Sequence, residues 1–251
     1  MKIVFLGTGD STGTPVINCH CRTCDDARTK NWERKRFSIL IKHRGKNVLV
    51  DTSPDLRRQL LDLKIERIDA VLWTHAHFDH FGGIAEFYRV QDDVEVFSAP
   101  EVHESVEIFG NFIPYKKREV SENENFKIAD IEFELLRVHH PPVDAFGVLI
   151  RFEDVKIAIS GDTNSEIPEK TVKEFEDSEL FIVNALAPTG KFKKHMNALD
   201  ALRISKRLRV KNLKISHASH LYPPKDEAKK IYPLAEDYEE ICLDSMLEGQ
   251  I

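Results

Sequence analysis

The chain has no uninterrupted apolar run of about eighteen residues, the length a helix needs to cross a bilayer, which argues against a membrane span. Its apolar start, Met1-Lys2-Ile3-Val4-Phe5-Leu6, is too brief for a secretory signal and is closed at once by Gly7. That start reads as a buried first strand, and the cytoplasm is the default location. Also missing are internal repeats, low-complexity tracts and any linker long enough to separate domains, so one domain over residues 1–251 is expected. There is no excess of positive charge. The formal net charge of −6 argues against a broad nucleic-acid-binding surface. Basic residues do gather between Arg28 and Lys46 and between Lys191 and Lys214, and acidic ones between Glu236 and Glu248. Solvated faces and helix ends account for such runs, the alternative being a basic lip beside an anionic substrate.

Several familiar motifs are absent or incomplete. The glycine-rich stretch Gly7-Thr8-Gly9-Asp10-Ser11-Thr12-Gly13-Thr14-Pro15 lacks the Gly-Lys-Ser/Thr ending of a nucleotide-binding loop. It reads as a tight turn from the first strand, with Ser11 or Thr12 the candidates for substrate contact. Cysteine is scarce: of four, three sit in Cys19-His20-Cys21-Arg22-Thr23-Cys24 and Cys242 stands apart. In a cytoplasmic protein that cluster favours a metal site over a disulfide framework. A zinc ribbon would need a second Cys-x-x-Cys, and a nucleobase deaminase a His-x-Glu ahead of Pro-Cys-x-x-Cys. Neither is present. A redox pair would open a helix after a strand, without a third cysteine two residues earlier. Three thiolates leave a tetrahedral zinc one ligand short, and Cys242 and His220 are the candidates.

Short apolar runs bounded by Gly, Pro, Asp or Asn predict strands at Lys2–Leu6, Phe37–Lys42, Asn47–Asp51, Ala70–Thr74, Val94–Ser98 and Phe126–Ile128. Further strands are expected at Ile131–Val138, Phe146–Phe152, Lys156–Ser160, Leu180–Val183 and Leu213–Ser216. Apolar spacing of three and four predicts helices over Asp55–Leu63, Gly82–Val90, Glu169–Glu176 and Asn197–Arg209, the last capped by Asn197. The mixture implies an α/β (α+β) architecture, sheets inside and helices outside.

The densest chemistry lies in Thr74-His75-Ala76-His77-Phe78-Asp79-His80-Phe81-Gly82-Gly83, directly after an apolar strand. Residues two apart at a strand end face one side, so His75 and His77 can grip one cation, while Asp79 and His80 turn toward a second. Imidazole and carboxylate suit zinc, manganese or iron.

His-x-His-x-Asp-His after a buried strand resembles the signature of the metallo-β-lactamase superfamily, which implies a four-layer αββα sandwich with a dinuclear metal site at one edge of its sheets. The resemblance implies three further ligands. His140 in Val138-His139-His140-Pro141 is favoured over His139 by its spacing to Gly147; Asp162 comes from Gly161-Asp162-Thr163, and His217 ends a late strand. His75, His77 and His140 would hold one metal and Asp79, His80 and His217 the other, with Asp162 between them. His77 is intact where redox members carry glutamate, which favours hydrolysis. Cys-x-Cys-x-x-Cys paired with His217-Ala218-Ser219-His220 is similar to the phosphoribosyl 1,2-cyclic phosphate phosphodiesterase group. That likeness makes Cys19, Cys21, Cys24 and His220 the expected ligands of a structural zinc, in a loop around residues 19–24.

An isolated histidine ahead of a late helix, here His195, occurs in that group and in the tRNA 3′-processing endonucleases. Asp79 and His195 are therefore the expected catalytic residues, Asp79 orienting the nucleophile and His195 assisting the leaving group. The implied activity is hydrolysis of a small cyclic phosphodiester with two catalytic divalent ions, zinc or manganese. The alternatives are tRNA 3′ processing and a non-catalytic member stabilised by metal. RNA is the less expected partner, no membrane partner is expected, and a homodimer is consistent with the resemblance.

Overall fold

The β-branched runs form strands, and the two-residue turns between them set their pairing. The computed structural model describes residues 1–110 and 115–243. Strands β1 (Lys2–Gly7), β2 (Ser38–His43) and β3 (Lys46–Val50) run antiparallel. Arg44 and Gly45 close the β2–β3 hairpin with φ of 45° and 75°, the left-handed values such a turn needs. Strands β4 (Ala70–Leu72), β5 (Glu95–Ser98) and β6 (Lys116–Glu119) then add in parallel, and β13 (Glu240–Cys242) pairs with the far side of β1. The first sheet is thus ordered β13-β1-β2-β3-β4-β5-β6.

The second sheet has β7 (Asn125–Ile128), β8 (Ile131–Val138), β9 (Ala145–Phe152) and β10 (Val155–Ile159) antiparallel. Strands β11 (Leu180–Asn184) and β12 (Asn212–Ser216) follow in parallel, giving the order β12-β11-β10-β9-β8-β7. Alternate residues on these strands enter two separate cores. Phe133, Leu135, Val148, Ile150, Ile157, Ile159 and Ile182 meet Ile3, Phe5, Ile39, Ile41 and Leu72 between the sheets. Their neighbours Leu136, Leu149, Ala158, Phe181 and Val183 face outward and pack under helices α5 (Glu169–Phe175) and α6 (Ala198–Arg207). Period-two alternation with both faces buried is the pattern of a sheet covered on each side. Each large side chain so buried contributes roughly 1.5–3 kcal/mol.

The outer face of the first sheet is covered by Leu56 of α2 (Leu56–Asp62), Val102 and Val106 of α4 (Pro100–Gly110), and Ile84 and Phe87 of the 3-10 turn Gly82–Phe87. Helix, sheet, sheet and helix stack as the expected αββα sandwich. Helix α6 is capped as its sequence suggests, with Asn197 Oδ1 accepting the Asp200 N–H at 2.9 Å.

Some elements differ from the sequence expectation. The predicted helix Gly82–Val90 is a 3-10 turn that stops at Phe87; of its two leading glycines, Gly83 lies against the Ser53 carbonyl and Gly82 against the Phe78 ring. Helix α1 (Arg22–Lys30) buries only Thr23, Cys24 and Ala27, and α7 (Lys225–Ala228) is a single turn, so neither shows an apolar stripe. Strand β6, Lys-Lys-Arg-Glu, is wholly exposed at a sheet edge. The end of the acidic stretch, beyond Leu243, lies outside the described residues, and no helix among the described residues is long and apolar enough to cross a membrane.

Gly83 marks the closest approach behind the candidate site. Its N–H bonds the Thr52 carbonyl at 2.9 Å, and a Cβ there would lie 2.0 Å from the Ser53 carbonyl oxygen. Gly83→Ala should lower the unfolding free energy by about 1–3 kcal/mol in urea titration. Unchanged stability would contradict this packing.

Candidate metal centre

Every sequence-predicted catalytic ligand leaves the end of a strand or the turn after it, at one edge of both sheets. His75 and His77 follow β4, and Asp79 and His80 lie on the one-turn helix α3 (Phe78–Phe81). His140 follows β8, Asp162 follows β10, and His217 follows β12 with a left-handed φ of 56°. The two sheet edges are joined here: Phe146 N–H donates to the Thr74 carbonyl at 3.0 Å, and His75 pairs with Ala145.

Three imidazole nitrogens converge. His77 Nδ1 lies 3.0 Å from both His75 Nε2 and His140 Nε2. Tetrahedral zinc with ordinary Zn–N bonds would set its nitrogens about 3.3 Å apart, close to this spacing. The outer nitrogens fix the tautomers, assigned from the bonding network. His140 Nδ1–H donates to the Lys194 carbonyl at 2.9 Å, leaving Nε2 a lone pair. Thr74 Oγ1–H is committed to Asp51 Oδ2 at 2.8 Å, so it accepts from His75 Nδ1–H at 3.0 Å, and His75 Nε2 is likewise a lone pair. Spacing to Gly147 favours His140 over His139. The structure turns His140 inward and leaves the His139 side chain exposed beside Asn164 and Glu166.

Asp162 Oδ2 is the common point. It lies 3.3 Å from His80 Nε2 and from His217 Nε2, 3.7 Å from His75 Nε2 and 3.9 Å from His140 Nε2. Asp79 Oδ2 stands 3.4 Å from His80 Nε2 and 3.6 Å from His217 Nε2. His80 Nε2 and both His217 ring nitrogens are buried with no hydrogen-bond partner, an arrangement that is costly unless something else engages them. Lone pairs, carboxylates and orphaned nitrogens directed at shared points fit divalent cations.

Electrostatics divides the groups. Burial holds His75 well below its ordinary range, pushes His77 down to about 4 and lowers His140, keeping these imidazoles neutral as metal ligation requires. At His80 burial acts downward too, but Asp162, Asp79 and Asp51 outweigh it and hold the ring well above its ordinary value. Burial opposes ionisation of Asp162, yet His217, His80 and His195 keep its carboxyl well below the usual range.

Asp51, which the sequence reading passed over, anchors this network. It leaves β3 with φ 61°, fully buried, and accepts from the Thr74 N–H, the Thr74 hydroxyl and His80 Nδ1–H at 2.8, 2.8 and 2.7 Å. Burial pushes its carboxyl up. The Thr74 N–H on Oδ1 and the His80 ring on Oδ2, itself held well above its ordinary value, favour the carboxylate all the same. An acidic residue closing an apolar strand beside the histidine strand was the available signal.

His195 stands at the rim, stacked on His217 with ring centroids 5.0 Å apart and edge-on to His140 at 4.9 Å. Burial pushes it down to about 4. Ser11 and Thr12 are exposed, and Thr12 bonds its neighbour Asp10.

A second cluster lies outside this centre. His220 Nδ1 is 3.3 Å from Cys19 Sγ, 3.4 Å from Cys21 Sγ and 3.6 Å from Cys24 Sγ. Cys242 is elsewhere, opposite Lys2 on β13, so His220 is the residue brought to the three thiols. His20 points to solvent. Burial opposes ionisation of Cys21, but the Cys24 backbone and His220 hydrogen bonds bring it down to about 6; burial pushes Cys24 up to about 11.

Residues 32–217 match the family model of the Metallo-beta-lactamase superfamily. The chain belongs to that superfamily. A relative from Porphyromonas gingivalis, an octanoyltransferase, is 30% identical over 93% of this chain and 49% of its own length. The chain therefore spans about half of that relative. A diphosphatase from the PhnP family superposes with a TM-score of 0.84 at 25% identity, covering 96% of this chain and 97% of that one. Human short-form tRNase Z superposes at 0.71 with 21% identity, covering 96% and 99%.

Asp51→Ala should weaken binding of divalent metal by about 10–100-fold, because it frees both His80 and the Thr74–His75 pair. Competition with a chromophoric chelator measures this, and wild-type affinity would contradict the anchoring role.

Proposed function

We propose that this chain is a phosphodiesterase acting on a small cyclic phosphodiester, such as a ribose cyclic phosphate or a cyclic nucleotide. The observation that carries the reading is the convergence of His75, His77, His80, His140, His217 and Asp79 around Asp162 Oδ2, with His195 beside them. His75, His77 and His140 would hold one ion and Asp79, His80 and His217 the other, Asp162 touching both. Zinc or manganese bound there would acidify water and neutralise phosphate charge. Cys19, Cys21, Cys24 and His220 would hold a structural zinc that ties the N-terminal loop to the segment after His217.

The chain's own residues supply orientation and proton handling. Asp79 and Asp162 are held ionised by the flanking histidines, so they accept hydrogen bonds from the attacking water and aim it. His195 handles the proton of the leaving oxygen. Its ring is held low by burial, and an arriving phosphate anion raises its affinity for a proton. Similarity to the PhnP-family diphosphatase supports phosphate chemistry.

A second reading, tRNA 3′ processing, is favoured by the likeness to tRNase Z and by His195. The net charge of −6 speaks against it. Assays with bis-p-nitrophenyl phosphate, 2′,3′-cyclic nucleotides, precursor tRNA and acyl thioesters, each with added zinc or manganese, separate these possibilities. Cleavage of the cyclic esters is expected. Cleavage of precursor tRNA alone would favour the second reading, and inactivity on every phosphodiester with the centre metal-loaded would contradict the proposal.

Asp162→Ala should abolish turnover while circular dichroism remains native. His195→Ala should lower kcat by about 10²–10⁴-fold with little change in KM. Wild-type turnover in a metal-loaded preparation of either variant would contradict its assignment.

A further inference from the structure

Asn184 closes β11, buried between Asp162 and His195. Its amide nitrogen donates to the Gly161 carbonyl at 3.1 Å and the Thr163 carbonyl at 3.0 Å, the residues flanking Asp162. Carbonyl oxygens only accept, so the nitrogen belongs at that end and the amide oxygen is turned the opposite way. That oxygen, Oδ1, lies 3.3 Å from His195 Nδ1. An amide oxygen has no proton to give, so the hydrogen in this contact must come from the imidazole. The other group facing Nδ1 is Asp162 Oδ2, at 3.8 Å, again an acceptor. Both neighbours ask His195 for a proton on Nδ1.

The geometry points to Asn184 as a positioning residue that holds His195 in its Nδ1–H tautomer, so that proton exchange with substrate takes place at Nε2. The tautomer of an imidazole is set by the hydrogen bond that its other nitrogen makes. A proton on Nδ1 also takes His195 out of the ligand group it would otherwise form with Asp162 and His217. The consequence for turnover rests on the phosphodiester reading above. There, the bond from phosphorus to the leaving oxygen breaks and its electron pair stays with that oxygen. The imidazolium gives it the Nε2 proton. What remains is a neutral ring with its proton on Nδ1, already bonded to Asn184.

The tautomer is read directly by long-range ¹H–¹⁵N NMR of the zinc-loaded protein, the His195 signals being assigned by their loss in His195→Gln. A protonated Nδ1 and a lone-pair Nε2 are expected in the wild type. Asn184→Ala should yield a mixture, and Asn184→Asp, which keeps an oxygen toward the ring, should restore the Nδ1–H form. A wild-type ring protonated only at Nε2, or with Nδ1 bound to metal, would overturn the inference.

Kinetics separates this role from mere support of the Asp162 loop. Nitrophenolate departs without a proton, whereas the ribose alkoxide of a 2′,3′-cyclic nucleotide needs one. Asn184→Ala should therefore lose at least about tenfold more kcat on the cyclic nucleotide than on bis-p-nitrophenyl phosphate. Asn184→Asp should narrow that gap. Equal losses on both esters would assign Asn184 to the loop alone and overturn the inference. If the wild type cleaves neither ester, the phosphodiester reading fails, and the NMR result still decides the tautomer.

Discussion

A set of buried imidazole nitrogens and carboxylate oxygens turned toward one another is the constraint around which this molecule is arranged. His75 Nε2, His77 Nδ1 and His140 Nε2 face one another at hydrogen-bond distance, but the outer bonds of His75 and His140 have already used their protons. His80 and His217 add further nitrogens with no partner. In water such groups would be solvated; inside the protein, cations held at these points would satisfy them. The rest of the site keeps them in place: Asp51 beneath His80 and Thr74, the Lys194 carbonyl behind His140, and Asn184 holding the peptide groups on either side of Asp162.

The fold makes this convergence possible by bringing the ends of strands from two sheets to one edge. The inter-sheet core sets the depth of the cleft, and the Thr74–Phe146 hydrogen bond fastens its two walls together. Asp51 and His217 both carry left-handed backbone angles, which cost free energy in residues with a Cβ. Each is held by the surrounding packing in the conformation that turns its side chain inward.

Much of this was legible in the sequence because the chemistry is locally dense. Four candidate ligands fall between His75 and His80, and the remaining three each follow a recognisable strand. Sheets inside and helices outside were readable from the mixture of apolar runs, and the resemblance to the superfamily supplied the αββα layering. Asp51 was not, since one aspartate after a strand is an ordinary turn signal until the fold places it under His80. Asn184 was hidden for the same reason: its meaning lies in contacts with Gly161, Thr163 and His195, none of them adjacent in sequence. The short helices α1 and α7 and strand β6 bury too little apolar surface to leave a periodic pattern.

The central claim is that the buried nitrogens and carboxylates around Asp162 hold cations. Anomalous diffraction from crystals of the zinc-loaded protein, recorded on both sides of the zinc edge, tests it most directly. The account predicts strong peaks flanking Asp162 Oδ2, one beside His75, His77 and His140 and one beside Asp79, His80 and His217. Anomalous density at the Cys19, Cys21, Cys24 and His220 cluster alone, with none near Asp162, would contradict it.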